Sequence, residues 1–175
     1  MKYDNRINPR ITGWFVKYTE RAEIITVIAV AASLTLKSMR SGAANPIITL
    51  ALSALAIFYY FNAFHFREDR DKWGNFFNRI LSFGWAICTI GILFAIQGWP
   101  GWDQMLVIGV LPQCVLLLVM LIRQSRNSEK FQGTDKKMQV RTALIIALSL
   151  SLRFCPKEQL YKSNILTRPL AEQAQ

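Results

Sequence analysis

Apolar residues in this chain fall in long blocks separated by short polar and basic stretches. The first block covers residues 24–36 and reaches 39 once Lys37 lifts its ammonium toward a headgroup layer, a short span of about 16 residues. The second, residues 46–66, carries no formal charge, and its 21 residues at 1.5 Å each cover about 30 Å, the thickness of a hydrocarbon core. A third block fills 80–99 and a fourth 105–122. Only a tight turn built on Trp99, Pro100, Gly101 and Trp102 divides these last two, so they read as an antiparallel hairpin. About 21 polar and basic residues precede the first block and no small-residue cleavage site follows it, so the first helix is expected to be retained.

Beyond the fourth block, 124–141 is polar and basic, and 142–154 turns apolar again. Thirteen residues are too few to cross a bilayer as a helix, which predicts an interfacial or re-entrant segment. Its type is ambiguous: 142–148 favours helix, while 148–154 alternates at the strand period before Pro156 stops it. The pattern predicts an all-α membrane protein of four transmembrane helices in two antiparallel hairpins, plus that short interfacial C-terminal segment. Three regions follow: a basic arm at 1–21, a four-helix transmembrane domain at 22–123, and a basic tail at 124–175.

Charge sets the orientation. The arm carries five Lys or Arg, the loop after the second block four, and the tail six before Thr142, against two and none in the remaining loops. The positive-inside rule puts all three basic segments in the cytoplasm, with both termini. Trp14, Phe15 and Tyr18 on that side, with Trp99 and Trp102 on the other, suit the two aromatic belts.

Composition agrees: 52% hydrophobic, 18% charged, mean hydropathy +0.22, unlike an ordinary soluble enzyme. A net charge of +10 would suit nucleic acid, but the cations lie outside the apolar blocks, where anionic lipid headgroups are the fitting partner and nucleic acid is not. Three cysteines make neither a disulfide framework nor a zinc cluster. The sequence has no phosphate-binding glycine loop, nucleophile elbow or paired-histidine metal motif, so no cofactor, metal or catalytic residue is assigned.

The run Gly91-Ile92-Leu93-Phe94-Ala95-Ile96-Gln97-Gly98-Trp99-Pro100-Gly101, followed by Met105-Leu106-Val107-Ile108-Gly109, resembles the transmembrane hairpin of the GldL family, inner-membrane stator proteins of the gliding-motility and type IX secretion motor. The likeness covers about 35 residues. It implies a membrane hairpin within a larger envelope assembly, and the bacterial inner membrane as the expected location. Where the family has lysine, histidine and an intramembrane glutamate, this chain has Ala95, Gly98 and Gln113, and a glutamine cannot carry a proton. Residues 36–42 overlay 94–101 with one residue skipped, which reads as a duplicated hairpin with Ala54 opposite Gln113.

Gly91, Ala95 and Gly109 are candidates for close helix packing or partner contact. Beside them, Pro112 frees the carbonyl of Ile108, and Gln113 seeks a hydrogen-bond partner. Asn62 and His65 form a possible polar site at the end of the second block, although a haem would need a second axial ligand and no other histidine exists. Glu23 reads as a first-turn carboxylate answering the helix dipole. Cys88 and Cys114 lie at similar depth and read as packing residues. The expectation is a non-enzymatic accessory or scaffold subunit that meets other integral membrane proteins or itself within the bilayer. The alternative is a small transporter or channel-forming subunit with a polar path through Asn62, Gln97 and Gln113.

Overall fold

Pro9 opens the first helix at a position where its missing N–H costs nothing, and no further proline interrupts it before its end at Ser38. The computed structural model describes residues 9–38, 43–65, 72–126 and 133–155. Among these the chain is all-helical, with α1 at Pro9–Ser38, α2 at Ala44–Ala63, α3 at Lys72–Gln97, α4 at Trp102–Arg126 and α5 at Gly133–Phe154. The loop at 66–71, the turn at 39–42, the arm before 9 and the tail from 156 lie outside the described residues.

α2, α3 and α4 are each long and apolar enough to cross a membrane. α1 is longer, at 30 residues, but its uninterrupted apolar part lies between Glu23 and Lys37. It also begins well before the first block, so residues 9–21 are helical and continuous with it. Phe15 stacks on Phe61 at 4.4 Å and meets Phe58 edge-on at 5.0 Å, which gives that extension an aromatic seat on α2.

α1 packs on α2, α2 on α3 and α3 on α4, while α5 lies against α3 and α4. α3 is the hub: 67% of its most apolar window is buried, against 33% for α2 and for α4. Trp85, Leu81, Ser82 and Cys88 on it are wholly enclosed. Close approach to α4 depends on small residues. A Cβ on Gly91 would fall 2.9 Å from Leu106 Cδ2 and 3.3 Å from its main-chain nitrogen, and one on Gly109 would fall 2.6 Å from Cys88 Sγ. Ala95 is buried among Ile48, Leu52 and Ile96 instead, on the side toward α2.

α3 ends in a Schellman motif. Gly98, at φ 73°, donates its N–H to Ala95 O at 3.1 Å, and Trp99 donates to Phe94 O at 2.9 Å. Phe94 and Trp99 meet edge-on at 5.0 Å, the apolar contact that accompanies this cap. The position where the GldL pattern has histidine is therefore one that favours glycine for its backbone. Gly101, at φ 85°, completes the turn after Pro100, and Trp102 packs partly buried on the core below.

Residues 142–154 are helical, not strand, and form the later part of α5. They run along the bundle. Met138 packs with Phe77, Trp85 and Met120 near one end, whereas Leu152 packs with Ile48, Ile96 and Leu106 near the other. Those two residues stand about 21 Å apart along the helix axis. Beyond Leu152, Arg153 pairs with Asp103 in the first turn of α4. α5 therefore lies against the other helices along most of its length rather than at one end of the bundle alone. Its polar residues explain why: Thr142 and Ser149 face the bundle at 0% and 1% exposure, which makes an apparently short apolar run a helix with a buried polar seam.

Candidate functional site

The polar side chains inside the bundle collect at distinct places, and the most elaborate joins four helices. Glu23 sits in the middle of α1, one face toward α2. Tyr59 of α2 donates its hydroxyl to Glu23 Oε1 at 2.6 Å. Arg141 of α5 grips the same carboxylate with both edges of its fork, Nε to Oε1 at 2.6 Å and Nη2 to Oε2 at 2.9 Å. Its guanidinium carbon stands 5.2 Å from the ring centre of Trp85 on α3, and Trp85 stands 5.5 Å from Tyr59. Trp85 Nε1 donates to Thr142 Oγ1 at 3.1 Å, and Thr142 in turn donates to Met138 O at 2.8 Å.

This arrangement corrects the first-turn reading of Glu23. Fourteen residues of helix precede Glu23 in α1, so the helix dipole does not account for it. Its role is set by Arg141, 118 residues away, with both side chains about one-fifth exposed. One turn earlier, Lys137 reaches Glu20 at 2.9 Å and holds its carboxyl below the usual carboxylate range, but that pair lies in the open.

Gln113 occupies a second polar position. It has no exposed surface, and its Nε2 donates to Cys88 Sγ at 3.2 Å and to Gly109 O at 3.0 Å. Its Oε1 and the buried hydroxyl of Ser149 on α5 have no hydrogen-bond partner among the described residues. Gly84 makes room for it, since a Cβ there would lie 2.8 Å from Gln113 Cγ. The amide turns to Gly109 rather than to the carbonyl of Ile108 that Pro112 cannot bond. Cys114, next to it, faces outward, so it and Cys88 are not paired.

Asn62 donates to Ser82 Oγ at 3.1 Å, and its carbonyl accepts from Asn78 at 3.2 Å and from the main chain of His65 at 3.2 Å. Gln97 donates to Thr49 Oγ1 at 2.9 Å and to Asn45 O at 3.2 Å. Asn62, Gln113 and Gln97 are thus held at three levels along α3, near residues 82, 88 and 97, and the structure does not bring them together. Ala54, aligned with Gln113 in the proposed duplication, lines an outer groove between α1 and α2 rather than a buried position. Among the described residues no three His, Cys, Asp or Glu side chains gather as a metal site would require.

Sequence reasoning missed Tyr59 and Arg141 altogether. Arg141 was visible only as one cation in a basic stretch, and nothing in local spacing ties it to Glu23. Compared with protein-family models, curated proteins and solved structures, the chain has no match.

Proposed function

We propose that this chain is a non-enzymatic accessory or scaffold subunit of an inner-membrane envelope assembly, the class of complex to which the GldL-like turn at 91–109 also points. One observation carries the reading. The polar groups of the interior bond across helix interfaces, as Glu23, Tyr59 and Arg141 do, instead of lining a continuous path. Such groups fix helix positions. Meanwhile broad apolar faces point outward, including Ile24, Ile28, Leu50, Ile108, Leu111 and Val115. In a bilayer those faces meet lipid or the helices of other subunits.

In this reading α1 inserts beside α2, α3 and α4 as a fourth crossing, and α5 makes a fifth. The 15 Lys and Arg of the three basic segments before Thr142 stay on one side in either arrangement, because α5 begins where α4 ends. The contact of Arg153 with Asp103 favours a tail that emerges on the opposite side from the amino terminus. A reporter fused after Gln175 is then expected in the periplasm, and one inserted at Ser128 in the cytoplasm. A cytoplasmic reporter after Gln175 would return α5 to the interface.

Reconstitution decides between scaffold and transporter. Liposomes holding the purified chain should pass neither protons nor potassium above the protein-free rate, while mild solubilisation of native membranes should copurify other integral membrane subunits. Potential-driven flux abolished by Gln113→Ala would put the transporter first.

A further inference from the structure

Between α1 and α2 lies an open groove of about 610 Å³ with an almost wholly apolar lining. It extends from Trp14 and Tyr18 at one end to Ala29 and Pro46 at the other. The floor is made by small side chains, Ala22 and Ala29 on α1 with Ala51 and Ala54 on α2, which leave a furrow along the outer face of the packed α1–α2 pair.

The mouth is different in kind. Trp14 and Tyr18 lie 4.9 Å apart, and Trp14 stacks toward Phe58 of α2 at 6.1 Å, so aromatic rings bridge the two helices at this level. Lys17 and Arg21 each stand 5.7 Å from the Tyr18 ring. The two nearby carboxylates do not serve them: Glu20 pairs with Lys137, and Glu23 is occupied by Tyr59 and Arg141. No described carboxylate neutralises Lys17 or Arg21. Two cations on an aromatic rim above an apolar cleft form a site for a molecule with an anionic head and a long apolar tail.

We propose that the groove binds an anionic phospholipid, with its phosphate at Lys17 and Arg21 and one acyl chain laid between α1 and α2. The proposal rests on the reading of α1 and α2 as membrane-inserted. The rim favours a lipid over a partner helix: the two cations and the aromatic rings stand at one end, where an anionic headgroup would lie, and the apolar lining continues from them over the about 22 Å that the 15 residues from Trp14 to Ala29 rise.

The test uses the full chain in bilayers of phosphatidylcholine with a minor share of phosphatidylglycerol carrying a photoreactive group on one acyl chain. Adducts should concentrate on the peptides holding Leu50, Ala54 and Ile25, and phosphatidylglycerol should outcompete phosphatidylcholine by about tenfold, the order given by two interfacial cations. Lys17→Gln with Arg21→Gln should bring that preference close to one. Ala54→Phe should cut the adducts severalfold while leaving helicity unchanged, and Ala51→Leu serves if the first variant misfolds. Adducts spread evenly over the outer faces of α1 to α4, equal competition by the two lipids in the unsubstituted chain, or chain-to-chain crosslinks in place of lipid adducts would each overturn the proposal. Release of the chain by alkaline carbonate is a different failure, that of the membrane reading itself.

Discussion

Two buried polar positions in this bundle, one built on Glu23 and one on Gln113, answer the same physical problem in opposite ways. At Glu23 a full charge is accommodated because every lone pair facing the protein has a donor: Arg141 takes two and Tyr59 a third, while Trp85 covers the cation. At Gln113 the group is neutral and enclosed, one end is bonded, and the other is left without a partner. The charged position links α1, α2, α3 and α5. The neutral one locks α3 to α4, where Gly84 and Gly109 allow near contact. A charge needs completeness, whereas an amide tolerates an orphan if packing around it is tight.

The largest expected effect tests that completeness. Arg141→Ala leaves Glu23 without its cation and should cost about 3 kcal/mol, measured by unfolding in detergent. Replacing both partners, as Glu23→Gln with Arg141→Met, should cost clearly less than the single change. A double variant as damaged as Arg141→Ala alone would show that the pair is not the source of the loss.

Packing at the second position comes next. Gly109→Ala drives a methyl into Cys88 and should cost about 2 kcal/mol, with part of the loss recovered by Cys88→Ala, read in the same unfolding assay. Gln113→Leu, which removes the orphaned oxygen with little change of volume, should cost under about 1 kcal/mol. A larger loss would mean that the bonds of the amide to Cys88 and Gly109 outweigh the cost of its orphaned oxygen.

The smallest effect separates exposed from buried pairing. Because Lys137 lowers the carboxyl of Glu20, that pair adds stability above the ordinary value of 4.5 and loses it as pH falls through the lower folded value. The slope should be slight, as both partners are well exposed, and Lys137→Gln should flatten it. An unfolding titration from pH 6 to 3 reads the difference.

Much of the bundle was legible in the apolar blocks. The blocks at 46–66, 80–99 and 105–122 contain most of α2, α3 and α4, and the small residues Gly91 and Gly109 marked the α3–α4 contact. Helix ends were less visible, because amphipathic turns such as 9–21 and 72–79 carry charge yet pack on aromatic neighbours. Gly98 reads as a departure from a motif when compared by residue type, and as the left-handed cap of α3 once its φ is known. Glu23 and Arg141 were each visible but not as a pair, since a bond across 118 residues leaves no trace in periodicity. α5 reads as too short because its first nine residues, 133–141, are polar and basic and hide the helical turns that precede Thr142.

The same separation has a consequence for how the protein is made. Glu23 leaves the ribosome long before Arg141, and at about 5–20 residues per second the interval is about 6–24 s. Until then the carboxylate on α1 stands without its cation, even after α2, α3 and α4 have been made. A chain cut short before α5 keeps Glu23 without Arg141 for good.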